Sequence, residues 1–129
     1  MARPSKPKPK LPHSFVVEAL AALELEVKRM FSGYAVYTGD LLVMMLRDAA
    51  KLPEDNGVWL VLSERTDPSD ASLRREFPSL RGIQTLQGQI AHWLLIPSDG
   101  EDFEGEALRA CELILREDKR IGRVPQSRR

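Results

Sequence analysis

The stretch Val27–Leu46, VKRMFSGYAVYTGDLLVMML, most constrains what this chain can fold into. A basic approach, Lys28-Arg29, leads into Phe31–Tyr37, a run of aromatic and small residues. Thr38-Gly39-Asp40 then offers a polar, glycine-containing reversal, and Leu41–Leu46 is apolar without interruption. Two extended runs around a short turn spell a β-hairpin. The second run lacks alternation, which predicts a central strand covered on both faces. The rest of the chain has to supply that cover.

Upstream, Val16, Leu20, Leu23 and Val27 recur at i, i+4, i+7 and i+11, with Phe15, Ala19 and Ala22 widening the stripe. This spacing predicts an amphipathic helix running on from an N-cap at Ser14. Downstream, Arg47-Asp48 end the hairpin and Ala49–Gly57 reads as a loop, with Pro53 and a turn-forming Asn56-Gly57. Val58–Ser63, containing Trp59, predicts a third strand. Asp67-Pro68 predicts the start of a short helix that carries Leu73 and Phe77 on one face and stops at Pro78. Ile83–Leu86 and Ile90–Ile96 predict two further strands about Gln87-Gly88. In the second, Ile90, His92, Leu94 and Ile96 alternate with Ala91, Trp93 and Leu95. Ser98 and Glu101 have the spacing of a capping box for a last helix reaching about Asp118.

The predicted order is thus α-β-β-β-α-β-β-α. Consecutive strands without crossover helices point to an α+β fold, a five-stranded antiparallel sheet with three helices in two layers. A chain of 129 residues suits one domain. Residues 1–13, rich in proline and lysine, read as a disordered basic leader. Residues 14–118 read as the folded domain and 119–129 as a basic tail.

A net charge of zero conceals a segregation. Arg3, Lys6, Lys8 and Lys10 give the first ten residues +4, and residues 116–129 also carry +4. The body between them is left at −8. An acidic body repels phosphate, which confines any expected nucleic-acid contact to the termini. The single cysteine, Cys111, excludes an internal disulfide and any multi-cysteine metal site. The N-terminus has no apolar core of a secretory signal, and no apolar run approaches the roughly 20 residues of a bilayer span. A cytoplasmic location without membrane contact is the expectation.

No pattern in the chain spells out a reaction. Cys111 falls in an apolar helical stripe, and neither His13 nor His92 has ligand spacing to other metal-binding residues. The eight glycines are scattered, with no GxGxxG and no Walker-type motif. No cofactor and no enzymatic activity are expected. Candidate interaction residues are Arg29, Arg74 and Arg75, which suit carboxylate or phosphate contacts, and Trp59 and Trp93 as aromatic anchors. Against these stand the structural readings: solvated arginines and core tryptophans.

One segment resembles a known family. Arg29–Tyr37, RMFSGYAVY, is similar to the RMFGGYGLY-like signature at the first strand of TfoX/Sxy N-terminal domains. The resemblance extends over about residues 14–118. It implies a two-layer unit of helix, three strands, helix, two strands and helix, and a regulatory role in natural competence alongside a transcription activator. Ser32 and Ala35 stand where the family often has glycine, and the lysine often found near the end of the third strand is missing from Trp59–Leu62. The family motif implies no catalytic or ligand residue. The expected function is a non-enzymatic regulatory or protein-interaction domain with a protein partner or a homodimeric state. The open alternatives are an accessory nucleic-acid binder acting through the basic termini, and a small-molecule-binding protein or enzyme.

Overall fold

A computed structural model describes residues 11–30, 32–66, 70–84 and 91–125. The hairpin is present as β2 (Gly33–Thr38) and β3 (Leu41–Arg47), paired from Thr38↔Leu41 to Gly33↔Arg47. Gly39 sits in its two-residue turn at φ 61°, where a residue lacking Cβ is least strained. The register slips between Val36 and Tyr37, a β-bulge that turns both Val43 and Met44 into the same core. Around the hairpin lie β1 (Leu25–Met30), β4 (Gly57–Thr66) and β5 (Ala91–Pro97). The sheet order β1-β2-β3-β4-β5 is an antiparallel meander. Three helices complete it: α1 (Ser14–Ala19), α2 (Ala71–Glu76) and α3 (Phe103–Leu115).

The α+β class, the five antiparallel strands and the three helices are as expected. Among the described residues the strands are distributed differently along the chain, with four before α2 and one after it. The helical stripe expected to reach Val27 stops at Ala19, and Leu25–Met30 is a strand instead. The reason lies in its alternation: Leu25 packs into the helix-side core while Met30 packs on the opposite side of the sheet. Leu23 still reaches the core, from the turn between the two elements. Of the strand expected at Ile83–Leu86, Ile83 and Gln84 belong to no strand, and the remainder lies outside the described residues.

Helix starts moved as well. The N-cap position of α1 is His13, at φ 53°, with Ser14 as the first helical residue. Asp70 caps α2, its carboxylate accepting from Leu73 N at 3.0 Å, and the expected start at Asp67-Pro68 lies outside the described residues. Asp102 precedes α3 without a side-chain cap bond, so the Ser98/Glu101 box is not used.

Both faces of the sheet are buried. On one, Val36, Met44, Leu60 and Leu94 form a row in register beneath Leu20, Leu73, Phe77, Ala110 and Ile114. On the other, Ala35, Met45, Trp59 and Leu95 form the matching row, joined by Tyr37, Val61 and Ile83. This double burial explains the unbroken apolar run of β3, each large side chain contributing about 1.5–3 kcal/mol.

The segment expected as a basic tail enters the sheet. β3 and β4 pair only between Arg47↔Gly57 and Met44↔Leu60, leaving backbone groups beyond that point in need of partners. Arg120–Arg123 fills the gap. Leu42 and Arg123 exchange bonds of 2.9 and 3.1 Å, Gly122 N donates to Val61 O at 2.7 Å, and Ser63 N to Arg120 O at 2.9 Å. At the other end the expected leader lies outside the described residues up to Lys10, whereas Leu11 packs against the core. Among the described residues no helix is long and apolar enough to cross a membrane.

Candidate functional site

The site is built on the end of β3. Arg47 is only 5% exposed, and its guanidinium is held by neutral oxygens. Nε donates to Ser32 Oγ at 3.0 Å, Nη1 to Leu52 O at 2.7 Å and Asn56 Oδ1 at 2.8 Å, and Nη2 to Lys51 O at 2.7 Å. Asn56 is fixed in turn by a reciprocal pair of 2.9 Å bonds with the Ala49 backbone. The loop after β3 is therefore a hydrogen-bonded knot, and it presents Asp48 and Ala49 on a firm base. The Arg47 carbonyl accepts from His13 Nε2 at 2.9 Å, tying the start of α1 to the same knot. A carbonyl can only accept, so Nε2 carries the proton.

Between this knot, α1, the β1–β2 edge and the start of α3 runs a solvent-open groove of about 800 Å³. Its aromatic lining is Phe15, Tyr34 and Phe103, with Phe15 and Phe103 edge-to-face at 5.9 Å. Glu18, Asp48 and Glu104 line it with carboxylates, against one guanidinium, Arg29. Arg29 is partly engaged, stacked 5.6 Å from the Tyr34 ring centre with Nη1 3.4 Å from the phenol oxygen. Carboxylates beside aromatic faces favour a cation by charge and by ring quadrupole together. The hydroxyl nearest the knot, Ser32 Oγ, is occupied by Arg47.

A second polar cluster is structural. Glu76 of α2 receives Arg109 of α3 and Arg120 of the inserted segment, each at 2.6 Å. Arg120 also grips Asp118 at 2.8 Å. The Arg120 guanidinium holds the Asp118 carboxyl down to about 2, and it lowers Glu76 likewise. Together these bonds fasten the C-terminal segment to two helices. Cys111 is buried in the helix-side core, and that burial pushes its thiol up to about 11.

Of the candidate interaction residues named from the sequence, Arg29 lines the groove and the others lie elsewhere. Arg74 donates to Leu80 O at 2.6 Å, pinning the turn after α2, and Arg75 is exposed on that helix. Trp59 is buried on the other face of the sheet with its indole N–H spent on Asp55 O at 2.8 Å. Trp93 meets it edge-to-face at 5.8 Å and is half-buried. His92 is likewise engaged, Nδ1 lying 3.0 Å from Leu62 O. Sequence reasoning missed Phe15, Glu18, Tyr34, Asp48, Phe103 and Glu104 as one group. Phe15 and Phe103 read as stripe residues and Glu104 as a helix-start acid, and no local spacing links them to Asp48.

Among the described residues no group of three or more His, Cys, Asp or Glu side chains is arranged to hold a metal ion. In comparisons with known proteins, no protein-family model, no curated protein and no solved structure matches the chain.

Proposed function

We propose that this is a non-enzymatic protein-interaction domain whose groove receives a lysine or arginine side chain from an extended segment of a partner protein. The observation that carries the reading is the grouping of Glu18, Asp48 and Glu104 with Phe15, Tyr34 and Phe103 around a single guanidinium. An open trough of this size suits a passing chain, and the knot beneath it keeps its wall in place before binding, which lowers the ordering cost. A regulatory role of the kind the Arg29–Tyr37 resemblance implies would be exercised through such a contact.

The test is fluorescence anisotropy of a labelled decapeptide of alternating lysine and serine, against its glutamate–serine counterpart. Saturable, salt-sensitive binding of the lysine peptide is expected, weakened at least about tenfold in an E18Q/D48N/E104Q variant. Equal binding by that variant, or none at low salt, would sink the proposal. Duplex DNA bound equally by wild type and variant would instead favour contacts through the basic termini.

A further inference from the structure

Strand β1 begins the sheet, and among the described residues it pairs on one side only, with β2. The opposite edge is partly closed, because Arg81 and Leu95 exchange backbone bonds of 3.0 and 2.8 Å outside β5. Residues 26–29 of β1 are exposed, Val27 among the few large apolar side chains that are. We infer that β1 is the self-pairing edge of a two-fold homodimer, joining two copies antiparallel about Val27 into one continuous sheet.

The register follows from the backbone. β1 and β2 are joined across a two-residue connection closed by Met30↔Gly33. In such a hairpin the closing pair exchanges both bonds, and bonded pairs then alternate with unbonded ones. Met30, Lys28 and Glu26 accordingly direct their N–H and C=O towards β2, and Leu25, Val27 and Arg29 direct theirs outward. The two-residue turn between Thr38 and Leu41 and the Leu42–Arg123 bonds continue the same alternation across β2 and β3.

A second copy arriving antiparallel must therefore bond through Leu25, Val27 and Arg29, and the two-fold axis can pass through any one of residues 25–29. Centring on Glu26 or on Lys28 sets that charge against its own copy. Centring on Arg29 places that guanidinium against its own copy. Centring on Leu25 sets Glu26 opposite Glu24. Centring on Val27 sets Glu26 opposite Lys28 twice, buries Val27 against Val27, and places Leu25 beside the aliphatic stem of Arg29. Only this last register is free of like-charge pairs, and directly opposed charges are what cross-strand pairing rewards or punishes. Within one copy Lys28 Nζ already lies 3.5 Å from Glu26, so the dimer would carry a square of four alternating charges. A closed two-fold contact of this kind also uses up the edge, which a charged strand left alone only blunts.

The experiment is sedimentation equilibrium of the full chain across a wide concentration range, with three variants. Val27→Pro removes an N–H that points away from β2, so the fold is retained by circular dichroism while the dimer is lost. Glu26→Lys weakens association by at least about tenfold, and adding Lys28→Glu to it restores the wild-type constant to within about threefold. A wild-type chain that stays monomeric at several hundred micromolar overturns the inference. So does a dimer indifferent to Val27→Pro, or a double charge swap that fails to rescue.

Discussion

Replacing Arg47 with methionine tests whether the knot beneath the groove is held by its guanidinium. Four hydrogen bonds from a charged donor are lost, worth about 1.5–3 kcal/mol each before compensation. Three features reduce that sum. Methionine avoids the guanidinium's desolvation, a penalty of several kcal/mol. Lys51 and Leu52 are exposed, so their carbonyls recover water. Asn56 Oδ1 keeps the Ala49 amide at 2.9 Å. A net loss of about 2–4 kcal/mol remains, close to the cost of breaking other buried charged networks. With a urea m-value of about 1–3 kcal/mol/M, the unfolding midpoint should fall by about 1–2 M. Trp59 fluorescence is the natural probe, because its indole bonds Asp55 in the same loop. Arg47→Lys keeps the charge but not the fork, and should lose nearly as much. A methionine variant within about 1 kcal/mol of wild type would show that these bonds merely balance the cost of burying the charge, and the account of the knot would fall.

Other consequences are as sharp. Gly57 sits at φ 142°, and a Cβ there would meet Ile96 O at 2.1 Å and Ser98 N at 2.8 Å. Gly57→Ala should therefore cost at least about 3 kcal/mol, and a thermal melt within a few degrees of wild type would contradict the geometry. Asp118, held at about 2 when folded against an ordinary 3.8, adds stability that is complete above about pH 5 and disappears as pH falls from about 4 to 2. Because Arg120 is more than a third exposed, the contribution is about 1 kcal/mol. Asp118→Asn should lose that amount at pH 7 and match wild type near pH 2, by urea midpoints; an equal deficit at both values would assign the effect to something other than the charge. Cys111, 1% exposed and with its thiol raised to about 11, should react with a disulfide reagent at pH 8 at least about a hundredfold more slowly in the native protein than in urea. Rapid native labelling would mean that α3 opens readily.

What could be read from the sequence was whatever local pattern alone decides. The hairpin and the double burial of Leu41–Leu46 were legible because a continuous apolar run next to a glycine turn leaves few alternatives. Core burial, one of the two readings open for Trp59, is what the structure shows. The first helix was overextended because Leu23 and Val27 continue a 3.6-residue spacing by coincidence; alternation of Glu26 and Lys28 with Leu25 and Val27 was the competing signal, and β2 as a backbone partner decided between them. Arg120–Arg123 looked like charge at a chain end because its role is set by a gap between two distant strands. The groove was illegible for the same reason. Phe15, Tyr34, Asp48 and Phe103 converge from four parts of the chain, and no spacing in a sequence encodes such a meeting.

The inserted C-terminal segment bears on how the chain is made. Synthesis delivers β1 to β5 and all three helices before Arg120–Arg123, so a nascent chain has to wait with its central sheet unfinished. During that wait Leu42 and Val61–Ser63 present unpaired backbone in mid-sheet, where any passing strand can bind. The same four residues that lock the native protein are thus the last of its sheet to be made, and until they dock the backbone of β3 and β4 beside them stays open.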